Sequence, residues 1–178
     1  GEHAILAPSE PGSLVNPAHV SSVTCARCHA DERLAEKHNL PRDKVPAFQD
    51  SFHGLAGRAG SQTVANCASC HGVHNIQDPR TAQFRTQTPE LCAGCHANAE
   101  LMSKYGLSSD VYSLYQTSWH GVDISVYKAN WPTIWHESAV GTDCHGIHDI
   151  LDASNPRSSV NPANLLATCQ KCHPGAGP

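Results

Sequence analysis

Four pentapeptides share one pattern: CARCH over residues 25–29, CASCH over 67–71, CAGCH over 92–96 and CQKCH over 169–173. Two thiols separated by two residues and followed at once by an imidazole suit one task. The thiols add across the two vinyl groups of a haem, sulfur to one carbon and hydrogen to the other. The next residue's imidazole lies under the porphyrin and ligates iron. The pairs are Cys25 and Cys28 with His29, Cys67 and Cys70 with His71, Cys92 and Cys95 with His96, and Cys169 and Cys172 with His173. Other uses of the spacing fit less well. A thioredoxin-like motif would be single and sit in a βαβ context. Zinc ribbons do not require a His after the second Cys, and a disulfide framework has no use for one.

A fifth copy is incomplete. GTDCHGIHDI keeps Cys144 and His145, but Gly141 stands where a first cysteine should be. The flanks are retained: CHGVH at 70–74 matches CHGIH at 144–148. A site that had lost haem would leave orphan ligands, a reactive thiol and a hole where a porphyrin should provide core. The expectation is therefore five haem c groups, one attached through Cys144 alone. The alternatives are four haems with Cys144 as a free thiol, or a Cys144 disulfide to another chain.

Composition says that something must replace an ordinary core. Apolar residues make up 39% and aromatics 6%, while Gly and Pro together supply 25 of 178 residues. That is thin material for burial, whereas nine Cys and thirteen His are an excess. No apolar run reaches the length of a membrane span. No basic-apolar leader is present, so any export signal has been removed or lies outside this sequence. The net charge is −4 with no basic cluster, which argues against nucleic acid.

The elements that must position these sites repeat. At a shift of 67, residues 25–54 fall on 92–121 without a gap, and a shift of 74 aligns CHGVHNI with CHGIHDI. The difference of seven is an insertion between Gly121 and Ala139, rich in Trp131 and Trp135. At a shift of 145 the N-terminal stretch GEHAILAPSEPGSLVNPA overlies GIHDILDASNPRSSVNPA. The reading is a single domain over 1–178, built as a partial unit (1–29), one unit (25–91), a second (92–168) and a terminal site (169–178). A first helix is expected over 30–39 and 97–105, ending at Pro41 or Gly106. A second starts at Asp43 or Asp110 as N-caps and ends at the His-Gly pair. Asn161 before Pro162 reads as another capped start. Strand signals are weak, so the expected fold is short α-helices and loops wrapped around a haem stack, with little or no sheet.

An iron with imidazoles on both faces is closed to substrate and passes electrons. His3, His74 and His148 occupy a Gly-x-His slot, and His53 and His120 a His-Gly slot. Sites at Cys25, Cys92 and Cys169 lack a trailing Gly-x-His, and those at Cys67 and Cys144 carry it. Matching slots to sites along the chain pairs His3 with the Cys25 haem, His53 with Cys67, His74 with Cys92, His120 with Cys144 and His148 with Cys169. His19 and His38 look uncommitted. His136, in the insertion, is the rival to His120.

The SFHG, CHGVH and CHGIH elements and the repeated attachment motifs resemble multihaem c-type cytochromes of the class III and doubled Cys-x-x-Cys-His families, including those of metal- and sulfate-reducing microbes. The resemblance implies export to the periplasm or the cell exterior. It also implies electron transfer with redox proteins, other copies of the chain, or an extracellular metal or mineral acceptor. The leading expectation is a conduit of bis-His haems with no catalytic residue. Its alternatives are a subunit of an extracellular filament, in which His3 serves a neighbour's haem, and an oxyanion reductase with one open iron.

Overall fold

The structure is a computed structural model that describes residues 5–177. The expected sheet-free architecture is found: the chain is 51% helical, with loops, and has no strand among the described residues. It divides into two compact units, each drawn from two stretches of chain. One comprises residues up to Asn75 together with His148–Ser158. The other comprises Ile76–Ile147 and the residues from Ser159 on.

The first unit holds α1 (Pro17–His19), a wide π-type turn (Val20–Cys25), α2 (Ala26–His29), α3 (Glu32–His38), α4 (Lys44–Asp50), α5 (Phe52–Arg58) and α6 (Cys67–His71). The second holds α7 (Ala82–His96), α8 (Ala99–Ser103), α9 (Val111–Thr117), α10 (Trp119–Asn130), α11 (Gly141–His145) and α12 (Leu165–Gln170). Every attachment motif lies on, or at the end of, one of these short helices.

The repeat is structural as well as sequential. Asp31 caps α3 by accepting from Arg33 and Leu34 N–H, and its counterpart Asn98 caps α8 by accepting from Leu101 N–H. These caps start the first helix of each copy later than its sequence suggests, at Glu32 and Ala99. Both helices are followed by a left-handed residue at the same repeat position, Asn39 (φ 51°) and Gly106 (φ 65°). Asn and Gly are the residues that tolerate that conformation best.

The second helix departs from expectation. It does not run through to the His-Gly pair but breaks at Ser51 and Ser118, which are extended and cap the next helix through Gly54 and Gly121 N–H. Each serine hydroxyl also donates back to the previous helix, to the Phe48 or Tyr115 carbonyl at 2.7 Å. The glycine sits inside the new helix rather than ending the old one. A Cβ at Gly54 or Gly121 would lie 2.0 Å from the Phe48 or Tyr115 carbonyl oxygen. The glycine therefore permits a backbone crossing that no side chain could enter. Asp43 and Asp110 stand at N-cap positions without capping by their side chains; Asp43 pairs with Lys44 instead. Asn161 receives Ala163 N–H in a turn, and α12 begins only at Leu165.

Gly121→Ala is expected to destabilise the protein by about 3 kcal/mol, an overpacking cost at the upper end of the usual range. Gly141→Ala, where an added Cβ meets nothing within 4 Å, should change stability by less than about 1 kcal/mol. Denaturant midpoints of the two variants check this.

Among the described residues the buried hydrophobic side chains are Ala35, Ala82, Met102, Ile124 and Val140. Large side chains stay exposed, among them Trp119 at 86%, Leu114 at 66% and Val73 at 65%. The helices close on very little of their own hydrocarbon.

Candidate haem sites

Attachment segments pack together within each unit: α6 against the π-type turn in the first, and α11 against α7 in the second. In the first, the thiol of Cys25 is pushed up by burial and by Cys67, with which it shares a hydrogen bond. Cys67 N–H donates to the Ser21 hydroxyl at 3.0 Å, tying α6 to the π-type turn. In the second unit, burial, Asp143 and the Cys169 and Cys172 thiols all raise the Cys144 thiol. None of the nine cysteines is in a disulfide.

α6 and α11 are near-copies. Both span five residues and end at a glycine with the same backbone, Gly72 (φ 78°, ψ −177°) and Gly146 (φ 80°, ψ 178°). That positive φ explains the conserved shape of the two CHG corners. In α6 the Asn66 side chain caps the helix, while the Ser69 hydroxyl accepts from Asn66 N–H. In α11 Val140 occupies the N-cap position without a side chain that can cap, and the Asp143 carboxylate accepts from Val140 N–H at 2.7 Å.

Two pairs of imidazoles face each other. His71 and His148 have ring centroids 6.1 Å apart at an interplanar angle of 16°. His120 and His173 are 6.0 Å apart at 45°. A metal–imidazole bond is about 2.0 Å and the ring nitrogen lies about 1.1 Å from its centroid. One metal held between two imidazoles thus separates them by about 6.2 Å. Both pairs match that gap and so fit an axially ligated haem iron. A direct stack looks different: His136 lies 3.7 Å from Tyr127 at 8°. Among the described residues no three His, Cys, Asp or Glu side chains converge on a metal-ion site.

Protonation agrees with this role. Burial holds His71, His96, His145 and His148 below the ordinary histidine value. Neighbouring His29 adds to the effect at His71, His96 at His145, and His71 at His148. Neutral imidazole is the ligating form.

The pairing differs from that inferred by translation along the chain. His148 faces His71 of the Cys67 site, not the Cys169 site, and His120 faces His173 of the Cys169 site, not His145. The reason is the crossing of the chain. Residues His148–Ser158 belong to the first unit, where the Ile150 carbonyl accepts Phe52 N–H at 2.8 Å. That bond satisfies an orphan donor at the start of α5 and docks the strap at the Ser51 corner.

The other histidines are placed as follows. His3 lies outside the described residues. His53 is half-buried on α5, and His74 is exposed. His136 is engaged elsewhere, with its Nε2 2.7 Å from Asp123. His19, read as uncommitted, has Nδ1 fixed on the Ser13 carbonyl at 2.9 Å. Sequence reasoning missed Arg85, which reaches the Asp143 carboxylate and two carbonyls of the insertion. The signal was available: Asp143 replaces Ser69 at the one site that lacks a cysteine.

Residues 61–101 match the family model described as the doubled CXXCH motif, a span that includes the Cys67 and Cys92 sites. The match supports covalent haem c binding of the cytochrome type, with electron transfer as its general role. No curated protein and no solved structure matches the chain. Among the described residues no helix is long and apolar enough to cross a membrane.

Proposed function

We propose that the chain is a multihaem electron conduit with five haem c groups, four attached through two thioethers and one through Cys144 alone. The observation that carries this is the pair of facing imidazoles at 6.1 and 6.0 Å. Haem iron, alternating between ferric and ferrous, supplies the one-electron chemistry. The residues do the rest. His71 with His148, and His120 with His173, close both faces of their sites, which favours a carrier over an enzyme. Burial lowers the pKa of His71 and His148, which favours the neutral, ligating form. The thin apolar interior leaves the porphyrins to serve as core. The reading implies export to the periplasm or the cell exterior. Donors and acceptors there would be redox proteins, other copies of the chain, or an extracellular metal or mineral.

Intact mass of the denatured protein tests it, because thioether-bound haem survives denaturation. Five haem increments are expected. Four would remove the Cys144 site, and a colourless or zinc-loaded protein would refute the whole reading.

A further inference from the structure

At the Cys144 site the chain has lost two anchors that α6 retains. Gly141 replaces the first cysteine, and Val140 replaces the capping Asn66. Val140 is 1% exposed, so it packs but cannot cap. In the same place the structure adds a device that α6 lacks. Arg85 of α7 makes a bidentate pair with the Asp143 carboxylate, at 3.1 and 2.9 Å. The same guanidinium donates to the His136 carbonyl at 3.2 Å and the Ser138 carbonyl at 2.9 Å. Trp135 covers it, with Cζ 5.2 Å from the indole centroid, and the Arg85 side chain is only 13% exposed. Tyr115 donates to the Ala139 carbonyl at 3.0 Å. Burial and Glu90 push its pKa up to about 12, so it remains a donor.

One largely buried side chain therefore joins α7, the loop 131–140 and α11. The fork of a guanidinium suits this, since it donates in several fixed directions at once. The positions equivalent to Arg85 at shifts of 67 and 74 are Ala18 and Pro11, so the clamp belongs to the incomplete site alone. Steric exclusion does not explain Gly141, because a side chain there would meet open space.

We propose that Arg85 is a positioning residue that takes over the work of the missing first thioether. Through Asp143 it holds α11 so that Cys144 and His145 meet the haem in register with one covalent bond. The insertion serves as the clamp's upper jaw. This rests on the five-haem reading above.

The test uses the full chain matured with haem: the parent, Arg85→Gln, Asp143→Ser, Gly141→Cys and the double variant Arg85→Gln/Gly141→Cys. Asp143→Ser keeps the hydroxyl that Ser69 supplies in α6 and removes only the arginine pair, so it covers the case in which Arg85→Gln fails to fold. Denatured mass counts haems. The alkaline pyridine haemochrome band reports how many vinyls are saturated. In Gly141→Cys the new thiol adds across the remaining vinyl, sulfur to one carbon and hydrogen to the other, with no change in oxidation state.

Arg85→Gln and Asp143→Ser should lower the fraction carrying the fifth haem about tenfold, as loss of a supporting shell does at other metal sites. The other four haems should stay. Adding Gly141→Cys should restore the fifth haem and shift the haemochrome band toward the two-thioether position. Five haems retained in both single variants, or a loss that Gly141→Cys does not rescue, overturns the clamp. Four haems in the parent overturns the five-haem reading and the clamp with it.

Discussion

A His148→Ala variant is expected to open the haem at Cys67 and leave the one at Cys169 closed. The reduced variant should bind carbon monoxide at one more haem than the parent, with one more high-spin signal in the oxidised spectrum. The physical basis is the 6.1 Å gap between the nearly parallel rings of His148 and His71, whose pKa values burial lowers. Removing one axial imidazole leaves a ligand position that a small molecule can take. Double variants identify which haem responds. His148→Ala with His71→Ala should disturb one site, because on the proposed reading both residues would hold the same iron. His148→Ala with His120→Ala should disturb two, since His120 faces His173. Were ligands matched to sites in chain order, His148→Ala with His173→Ala would instead affect a single site. Carbon monoxide titration of the reduced proteins separates the two patterns.

Chain made without haem attachment is expected not to fold cooperatively. Among the described residues the buried hydrophobic set is two alanines, Met102, Ile124 and Val140. Such a core is far too small to offset the conformational entropy of ordering the chain. Many helices span five to seven residues, below the length at which an isolated helix persists in water. Caps such as Asp31, Ser51 and Asn98 fix where helices start but add only about 1 kcal/mol each. Porphyrins, proposed as the missing interior, also cross-link the chain through thioethers and axial ligands. The protein made in cells lacking haem-attachment machinery should show little helical signal by circular dichroism and near-complete hydrogen exchange within seconds. Native-like protection in that material would show that the helices need no prosthetic core.

The sequence by itself determined the chemistry and the local forms. Cys-x-x-Cys-His written four times specifies haem attachment because no other use of two thiols needs that adjacent imidazole. The repeat likewise foretold matched local geometry, which reappears in Gly72 and Gly146 and in Ser51 and Ser118. Short-range signals of this kind are complete within a few residues, so reading them needs no knowledge of the fold. Helix ends were less legible. Asp43 stands at the N-cap of α4 as its sequence suggests, but its carboxylate pairs with Lys44, and the working cap Asp31 precedes a helix whose start the pattern placed too early. Which imidazoles meet was decided by tertiary structure. His148 is three residues from His145 in the chain, yet its strap docks on the first unit, where Phe52 N–H takes the Ile150 carbonyl. Arg85 and Asp143, 58 residues apart, meet for the same kind of reason. A ligand pair or a buried ion pair requires two side chains to converge in space, and linear order does not encode that once the chain exchanges segments between units.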